Sequence, residues 1–197
     1  MNYRENQEFF IQLLERFDVI KYGHFIGTSG KHLDAYVFKD EIIKHPKLYV
    51  PICNELAKMI MVNMDYSDVE FITGPAIAGA VFAGLVANLL VKGFVYPEKL
   101  QTEMVYRRGY NRAMRGRNLI IVEDVATTGK SILKTTNAIE KNGGTVRGVV
   151  LIWNRSNFTI NNKDIPVYSI ISKELDSWKP EHCPMCLKGI PITDIKA

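Results

Sequence analysis

The stretch LIIVEDVATTGKS, residues 119–131, decides the fold. Four apolar residues run directly into two adjacent carboxylates, Glu123 and Asp124, and a turn of small and hydroxylated residues follows. An apolar run bounded by turn residues is typical of a buried strand. The stretch therefore predicts a buried strand that ends on two like charges and leads through Thr-Thr-Gly-Lys-Ser into a helix.

Strands and helices alternate on both sides of this stretch. The apolar pattern predicts strands at 69–74, 118–124, 145–153 and 166–171, and helices at about 47–64, 77–91 and 130–142. This alternation is typical of βαβ units, so we expect an α/β fold with a parallel sheet flanked by helices. Ligands of such sheets bind at the carboxyl ends of the strands, where Glu123 and Asp124 are expected to face a site.

The N-terminal part of the chain follows another pattern. Apolar spacing predicts an amphipathic helix at 4–17. Residues 22–38 mix aromatic side chains with Gly-Thr-Ser-Gly, which predicts short strands and turns. With 197 residues in all, one domain is expected.

Composition excludes several classes of protein. The chain is 47% hydrophobic and 23% charged with a net charge of +4, as in an ordinary globular protein. Its longest apolar stretch, 76–91, is short for a membrane span and predicts a buried helix. The first ten residues lack the pattern of a secretory signal, and three cysteines give no disulfide framework. We therefore expect a cytoplasmic protein without membrane or nucleic-acid partners.

The two carboxylates and the turn suit a sugar phosphate. Adjacent carboxylates can accept hydrogen bonds from a vicinal diol, as on ribose. The small residues after them let successive backbone N–H groups and a helix N-terminus face a phosphate. A P-loop is excluded, because that pattern requires glycine at the position of Asp124. An ordinary turn with helix-capping Thr and Ser would explain the hydroxyl groups but not the doubled carboxylate.

The same stretch resembles the phosphoribosyl-diphosphate motif of the type I phosphoribosyltransferases. Further segments are similar to the orotate branch of that family, in the same order along the chain: GHFIGTSGKHLDAY (23–36), TGPAIAGAVFA (73–83), RRGY (107–110), NRS (154–156) and CPMCLKGIP (183–191). The resemblance implies the type I fold with a small hood formed mainly by about 1–45 and the C-terminal tail.

The resemblance also implies a reaction and its residues. Orotate would take the phosphoribosyl group of phosphoribosyl diphosphate, with Mg²⁺ on ligand oxygens and no protein side chain assigned to the metal. Thr127 and Arg155 match family positions that touch orotate, and a guanidinium suits a carboxylate. An arginine at the end of a strand is otherwise often a simple surface residue. The residues implied in binding phosphoribosyl diphosphate are Glu123, Asp124, Val125, Ala126, Thr127, Thr128, Gly129, Lys130 and Ser131.

The segment 96–117 carries six basic residues against two acidic ones. In the family a mobile loop here closes over the diphosphate and reaches the neighbouring subunit, which implies a homodimer. This chain lacks the dense basic cluster of some members, and Lys99 is the candidate for the catalytic lysine. A solvated charged loop is the alternative.

Two other segments resemble segments of the family, but the resemblance assigns no fixed role to their residues. TGPAIAGA (73–80) offers backbone amides and little bulk to a diphosphate, although glycine-proline turns are common in other proteins as well. In the N-terminal segment Lys31, His32 and Tyr36 are candidates for contact with orotate, whereas His24 is expected to be a packed residue of the hood.

HCPMC, residues 182–186, contains a CxxC pair beside His182. A closed zinc site needs four ligands, the sequence shows no second pair, and Cys53 is far away in the chain. We therefore expect a packed C-terminal tail rather than a metal site.

Two other functions fit parts of this pattern. A related transferase for a purine or another base would keep the acidic motif, but a purine has no carboxylate for Arg155 to bind. A regulatory protein that retained the fold and binds RNA or a nucleotide would use the basic run at 107–117.

Overall fold

The computed structural model describes residues 3–27, 30–160 and 164–194. Its helices are α1 (Tyr3–Arg16), α2 (Asp40–Lys44), α3 (Pro46–Asn63), α4 (Ala78–Leu89), α5 (Tyr110–Ala113), α6 (Lys130–Lys141) and α7 (Pro184–Leu187). Its strands are β1 (Ile20–Ile26), β2 (His32–Val37), β3 (Val69–Thr73), β4 (Gly93–Phe94), β5 (Glu98–Leu100), β6 (Glu103–Val105), β7 (Asn118–Ala126), β8 (Thr145–Asn154), β9 (Val167–Ser172) and β10 (Ser177–Trp178).

The chain divides into two compact units, one formed by Met1–Leu48 with Glu174–Ala197 and the other by Tyr49–Lys173. Among the described residues of the first unit, β1, β2 and β10 form an antiparallel sheet with β2 in the middle. Helix α1 turns Phe10 and Leu14 into the core of this unit. The short strands expected in 22–38 are confirmed.

The second unit contains a parallel sheet with the order β4-β3-β7-β8-β9 over the described chain. Strand β7 lies in the centre, with Ile72 of β3 opposite Ile120 and Val150 of β8 opposite Val122. The predicted α/β fold with a parallel sheet is confirmed. The predicted strands and helices are present, with ends shifted by one or two residues.

The apolar run that opens β7 explains its central position. All four residues from Leu119 to Val122 are fully buried, as expected for a parallel strand covered on both faces. Helix α4 packs on β3 and β7 through small and apolar residues, including Ala83 and Val86. On α6 the apolar side chains Ile132 and Ile139 are buried, whereas Asn137 and Glu140 are exposed. The sheet thereby holds the end of β7 in a fixed place.

The segment 96–117 contains structure that the sequence does not predict. Strands β5 and β6 form a hairpin in which Lys99 lies opposite Met104, and α5 follows. Strands of three residues are too short to show an alternating pattern, which explains the omission. Elsewhere, no helix within the described ranges is both long and apolar enough to span a membrane.

Candidate functional site

The acidic pair is buried near the carboxyl end of β7. Glu123 is 5% exposed and Asp124 is 1% exposed. Glu123 accepts two hydrogen bonds, at Oε1 from the Asp124 backbone N–H (3.1 Å) and at Oε2 from the Ser131 hydroxyl (2.8 Å). Asp124 Oδ1 accepts from the backbone N–H of Val125 (2.5 Å). Glu123 is therefore held by the strand and by the first turn of α6, and Asp124 is held by the strand.

The turn after β7 requires glycine at one position. Gly129 precedes α6 with a left-handed backbone, φ +65°, and a Cβ placed there would lie 1.9 Å from Cε2 of Phe158. Thr127, Thr128 and Lys130 are exposed around this glycine. The first N–H groups of a helix have no acceptor within the helix, and they carry its positive dipole end. This turn can therefore bind an anion beside the acidic pair.

The turn after β8 is bonded to the turn after β7. The backbone N–H of Arg155 donates to the carbonyl oxygen of Ala126 (2.9 Å), and the Ser156 hydroxyl donates to the carbonyl oxygen of Thr127. The structure therefore brings Thr127 and Arg155, the two residues expected at the base, to adjacent turns. The Arg155 side chain is half-buried.

The turn between β3 and α4 packs directly on the acidic pair. A Cβ on Gly79 would lie 2.7 Å from Oε1 of Glu123, and one on Gly74 would lie 2.3 Å from the carbonyl oxygen of Gly79. Only glycine permits this approach of two backbones and a carboxylate. The N-termini of α4 and α6 consequently lie on the two sides of Glu123, an arrangement that favours anions.

A buried phenol joins the 96–117 segment to the end of β3. The hydroxyl groups of Tyr106 and Thr73 lie 2.8 Å apart, and both residues are buried. Burial raises the pKa of Tyr106 above its usual range, so the phenol stays protonated at neutral pH. Sequence reasoning missed this contact, because no pattern links Tyr106 to a strand that ends 33 residues earlier.

The basic side chains of the hairpin segment are exposed. Lys99 lies on β5, and Nε of Arg108 donates to Oε1 of Glu98 at 3.0 Å in an exposed ion pair. A catalytic role for Lys99 stays a prediction.

Three residues expected from the N-terminal segment belong to the first unit. Lys31 is exposed and Tyr36 is half-buried. His32 is 6% exposed, and its Nδ1 lies 2.7 Å from Nε2 of His24. His32 is therefore engaged by another side chain of its own unit.

A surface cleft of about 440 Å³ lies on the side of the parallel sheet where the strands begin. Arg112, Arg115 and Gly143 are among its lining residues, and Gly143 follows the C-terminal end of α6. It therefore lies near the amino ends of the strands, where ligands of parallel sheets do not bind. The acidic pair, near the carboxyl end of β7, is the better candidate site.

Comparison with known proteins gives one consistent family. The family model of the phosphoribosyl transferase domain matches residues 40–188. An orotate phosphoribosyltransferase of Thermoanaerobacter sp. (strain X514) is 33% identical over 182 residues, which are 92% of this chain and 93% of that protein. One from Campylobacter jejuni subsp. jejuni is 33% identical over 181 residues, covering 85% of this chain and 87% of that one.

Solved structures share the fold at lower identity. The orotate phosphoribosyltransferase of Aeropyrum pernix superposes with a TM-score of 0.66 at 19% identity and covers 83% of this chain and 93% of its own. The adenine phosphoribosyltransferase of Thermoanaerobacter pseudethanolicus gives 0.61 at 21% identity, over 81% of this chain and 99% of its own. Since enzymes for two different bases share this fold, the fold does not select the base.

Proposed function

Because this chain belongs to the phosphoribosyl transferase family, we propose that it transfers the 5-phosphoribosyl group of phosphoribosyl diphosphate to orotate. The products are orotidine 5'-phosphate and diphosphate, a step of pyrimidine biosynthesis. The observation that carries the proposal is the buried pair Glu123 and Asp124, of which Glu123 accepts a hydrogen bond from Ser131 in the first turn of α6.

The sugar phosphate is held by β7 and its turn. Glu123 and Asp124 accept hydrogen bonds from the ribose hydroxyl groups. The backbone N–H groups from Ala126 to Ser131 surround the 5-phosphate at the positive end of α6. Because these partners are fixed by the central strand, the ribose is positioned before the reaction begins.

The diphosphate lies against the turn at 74–79, where two glycines and two alanines leave little side-chain bulk and let it approach the backbone. Mg²⁺ prefers oxygen ligands and retains several waters, so it would be held mainly by oxygens of phosphoribosyl diphosphate rather than by protein side chains. When bound, Mg²⁺ neutralises charge on the diphosphate. The residues of this turn and of the acidic pair then orient C1 of the ribose toward the base.

Arg155 and Thr127 hold the base. The guanidinium of Arg155 can donate two parallel hydrogen bonds to the carboxylate of orotate. A new bond forms between N1 of orotate and C1 of the ribose while the bond from C1 to the diphosphate oxygen breaks. The diphosphate leaves with the bonding electrons, and the proton of N1 is released.

The segment 96–117 closes the site. Lys99 contributes positive charge to the leaving diphosphate, and the segment acts on the site of a second subunit in a homodimer. Two exposed arginines, Arg107 and Arg108, support this role through their charge. A cytoplasmic location agrees with three cysteines that form no disulfide bond.

The test is an absorbance assay with purified protein, Mg²⁺ and phosphoribosyl diphosphate. Orotate, hypoxanthine, guanine, adenine and uracil are supplied in separate reactions, and we expect turnover of orotate alone. Turnover of another base would overturn the role given to Arg155 and keep the sugar-phosphate site. No turnover with any base would instead favour a binding or regulatory protein.

A further inference from the structure

Four side chains that can bind metals meet in the first unit of the chain. They are His24 of β1, His32 of β2, Cys183 directly before α7 and Cys186 within α7, and each offers one ligand atom. These four atoms all lie within 4.8 Å of one another. The first three residues are buried, and Cys186 is the exposed member. None of the four takes part in the proposed transfer.

The distances approach those of a tetrahedral zinc site. Zinc bonds of about 2.0 Å to nitrogen and about 2.3 Å to sulfur place neighbouring ligand atoms roughly 3.3 to 3.8 Å apart. Nε2 of His24 lies 3.6 Å from Sγ of Cys183 and 3.7 Å from Sγ of Cys186. Sγ of Cys186 lies 3.2 Å from Nδ1 of His32. The two ring nitrogens are 2.7 Å apart, roughly half an ångström less than the separation of two nitrogens bound to one zinc ion.

A backbone carbonyl orients one of the rings for metal binding. Nδ1 of His24 lies 2.7 Å from the carbonyl oxygen of Ile190, so Nδ1 carries the proton and donates it there. The lone pair of Nε2 then points toward the other three side chains. Ligating histidines commonly donate their second nitrogen in this way, which fixes the ring and raises its basicity.

The local fold sets the spacing of the ligands. The antiparallel pairing of β1 with β2 brings His24 and His32 to the same end of the hairpin, and α7 places Cys183 and Cys186 three positions apart on one side of its turn. The backbone N–H of Thr193 donates to the carbonyl oxygen of His24 (2.6 Å), which holds the tail on this strand. Both ends of the chain therefore contribute to one cluster.

We propose that His24, His32, Cys183 and Cys186 bind one structural zinc ion that joins the β1-β2 hairpin to the C-terminal tail. Four protein ligands fill a tetrahedral zinc site and leave no position for a substrate, so the ion has a structural role. On binding, both thiols lose their protons, and His32 moves its ring proton from Nδ1 to Nε2. The resulting site of two thiolates, two neutral imidazoles and Zn²⁺ has no net charge.

This proposal corrects the expectation that the CxxC pair lacks partners. The second pair of ligands is two histidines that precede the cysteines by 151 to 162 residues, so no local spacing shows them. His182, the neighbour of Cys183, is exposed and is not a member of the cluster.

The first test measures the metal content of the full-length protein, purified under reducing conditions without a metal-affinity tag after growth with added zinc. Mass spectrometry of the metals is expected to find about one zinc per chain. After removal of the metal, one equivalent of Co²⁺ is expected to give the visible bands of four-coordinate cobalt and a thiolate charge-transfer band. The proposal would be overturned by any of three results. The protein could contain little zinc and stay colourless with Co²⁺, it could carry iron instead of zinc, or it could contain a Cys183–Cys186 disulfide.

Matched variants then identify the ligands. Cys186→Ser removes the exposed ligand and is expected to weaken zinc binding by tenfold or more, whereas His182→Asn changes an exposed neighbour and should retain one zinc per chain. Thermal unfolding should shift downward on metal removal in the wild type and shift little in Cys186→Ser. Equal zinc affinity of the two variants would refute the ligand set. If Cys186→Ser does not fold, the wild-type zinc and Co²⁺ measurements decide the question.

Discussion

In the proposed function, Arg155 is the residue on which the choice of base depends. Truncation to alanine removes two charge-assisted hydrogen bonds, worth together about 3 kcal/mol, or roughly a hundredfold in affinity. We expect Arg155→Ala to weaken orotate binding by that order and to leave binding of phosphoribosyl diphosphate nearly unchanged. Calorimetric titration of each ligand measures both effects.

Arg147→Ala is the matched control for this substitution. Arg147 is exposed at the other end of β8 and pairs with Asp68 at 3.4 Å. Its removal should change neither affinity. Normal orotate binding by Arg155→Ala would show that another group binds the carboxylate.

Glu70 makes part of the stability depend on pH. Its carboxylate accepts hydrogen bonds from the backbone N–H of Asn118 (2.8 Å) and from the guanidinium of Arg117 (2.9 Å). These two bonds hold the pKa of Glu70 below the ordinary value of 4.5, with the backbone bond as the larger cause. Since the folded pKa is lower than the unfolded one, the stabilisation is fully present above pH 4.5 and is lost as pH falls through the folded pKa.

The substitution Glu70→Gln should therefore lower the free energy of unfolding at neutral pH, and the difference from wild type should shrink in acid. Urea unfolding at a series of pH values measures this difference. Glu103→Gln, an exposed residue of β6, is the control and should show no such trend. A difference that is the same at all pH values would contradict the assigned contacts.

Helix α4 contains two glycines, Gly79 and Gly84, whose substitution by alanine is predicted to have opposite effects. A Cβ on Gly79 would lie 2.7 Å from the Glu123 carboxylate, whereas one on Gly84 would lie 3.6 Å from the nearest ring atom of Phe94, an ordinary contact. We expect Gly79→Ala to displace the carboxylate and reduce kcat/KM at least tenfold. Gly84→Ala should keep activity and gain up to about 1 kcal/mol in unfolding free energy from helix propensity.

Activity assays and chemical unfolding of both variants separate the two effects. A Gly79→Ala protein with normal kcat/KM would mean that Glu123 has no part in positioning the ribose.

At the scale of elements, the sequence predicts those helices and strands that are long enough to show a pattern of apolar residues. The strand at 118–124 was visible because Leu119 to Val122 form an unbroken apolar run, and its two carboxylates stand out against that run. The hairpin β5-β6 was not visible, because three-residue strands carry no recognisable period. The proximity of Thr127 and Arg155 follows from the parallel pairing of β7 with β8, which the alternation of elements does predict.

Contacts that depend on tertiary packing could not be predicted. The bond between Thr73 and Tyr106 and the meeting of His24 with Cys183 each join segments that share no pattern. They form only when the sheet and the tail are in place.

At the scale of the whole molecule, the proposed exchange of loops between subunits gives a complementation test. Lys99→Ala and Arg155→Ala should each be nearly inactive alone. When the two variants are mixed and re-equilibrated, half of the dimers contain one chain of each variant. One of the two sites in such a dimer then has both Lys99 and Arg155. About a quarter of wild-type activity should therefore return if the segment 96–117 reaches the neighbouring site. Assays before and after mixing, with light scattering to measure the mass of the assembly, decide between the loop exchange and a site formed by one chain.

The hydrogen bond from Arg155 to Ala126 has a consequence for redesign. It joins the turn that is proposed to contact the base to a strand that is anchored in the core. Because Ser156 and Phe158 lie against the turn before α6, a mutational library confined to Arg155 can vary the heterocycle that is accepted and leave the recognition of ribose 5-phosphate intact. New nucleotides could be made from one unchanged activated sugar.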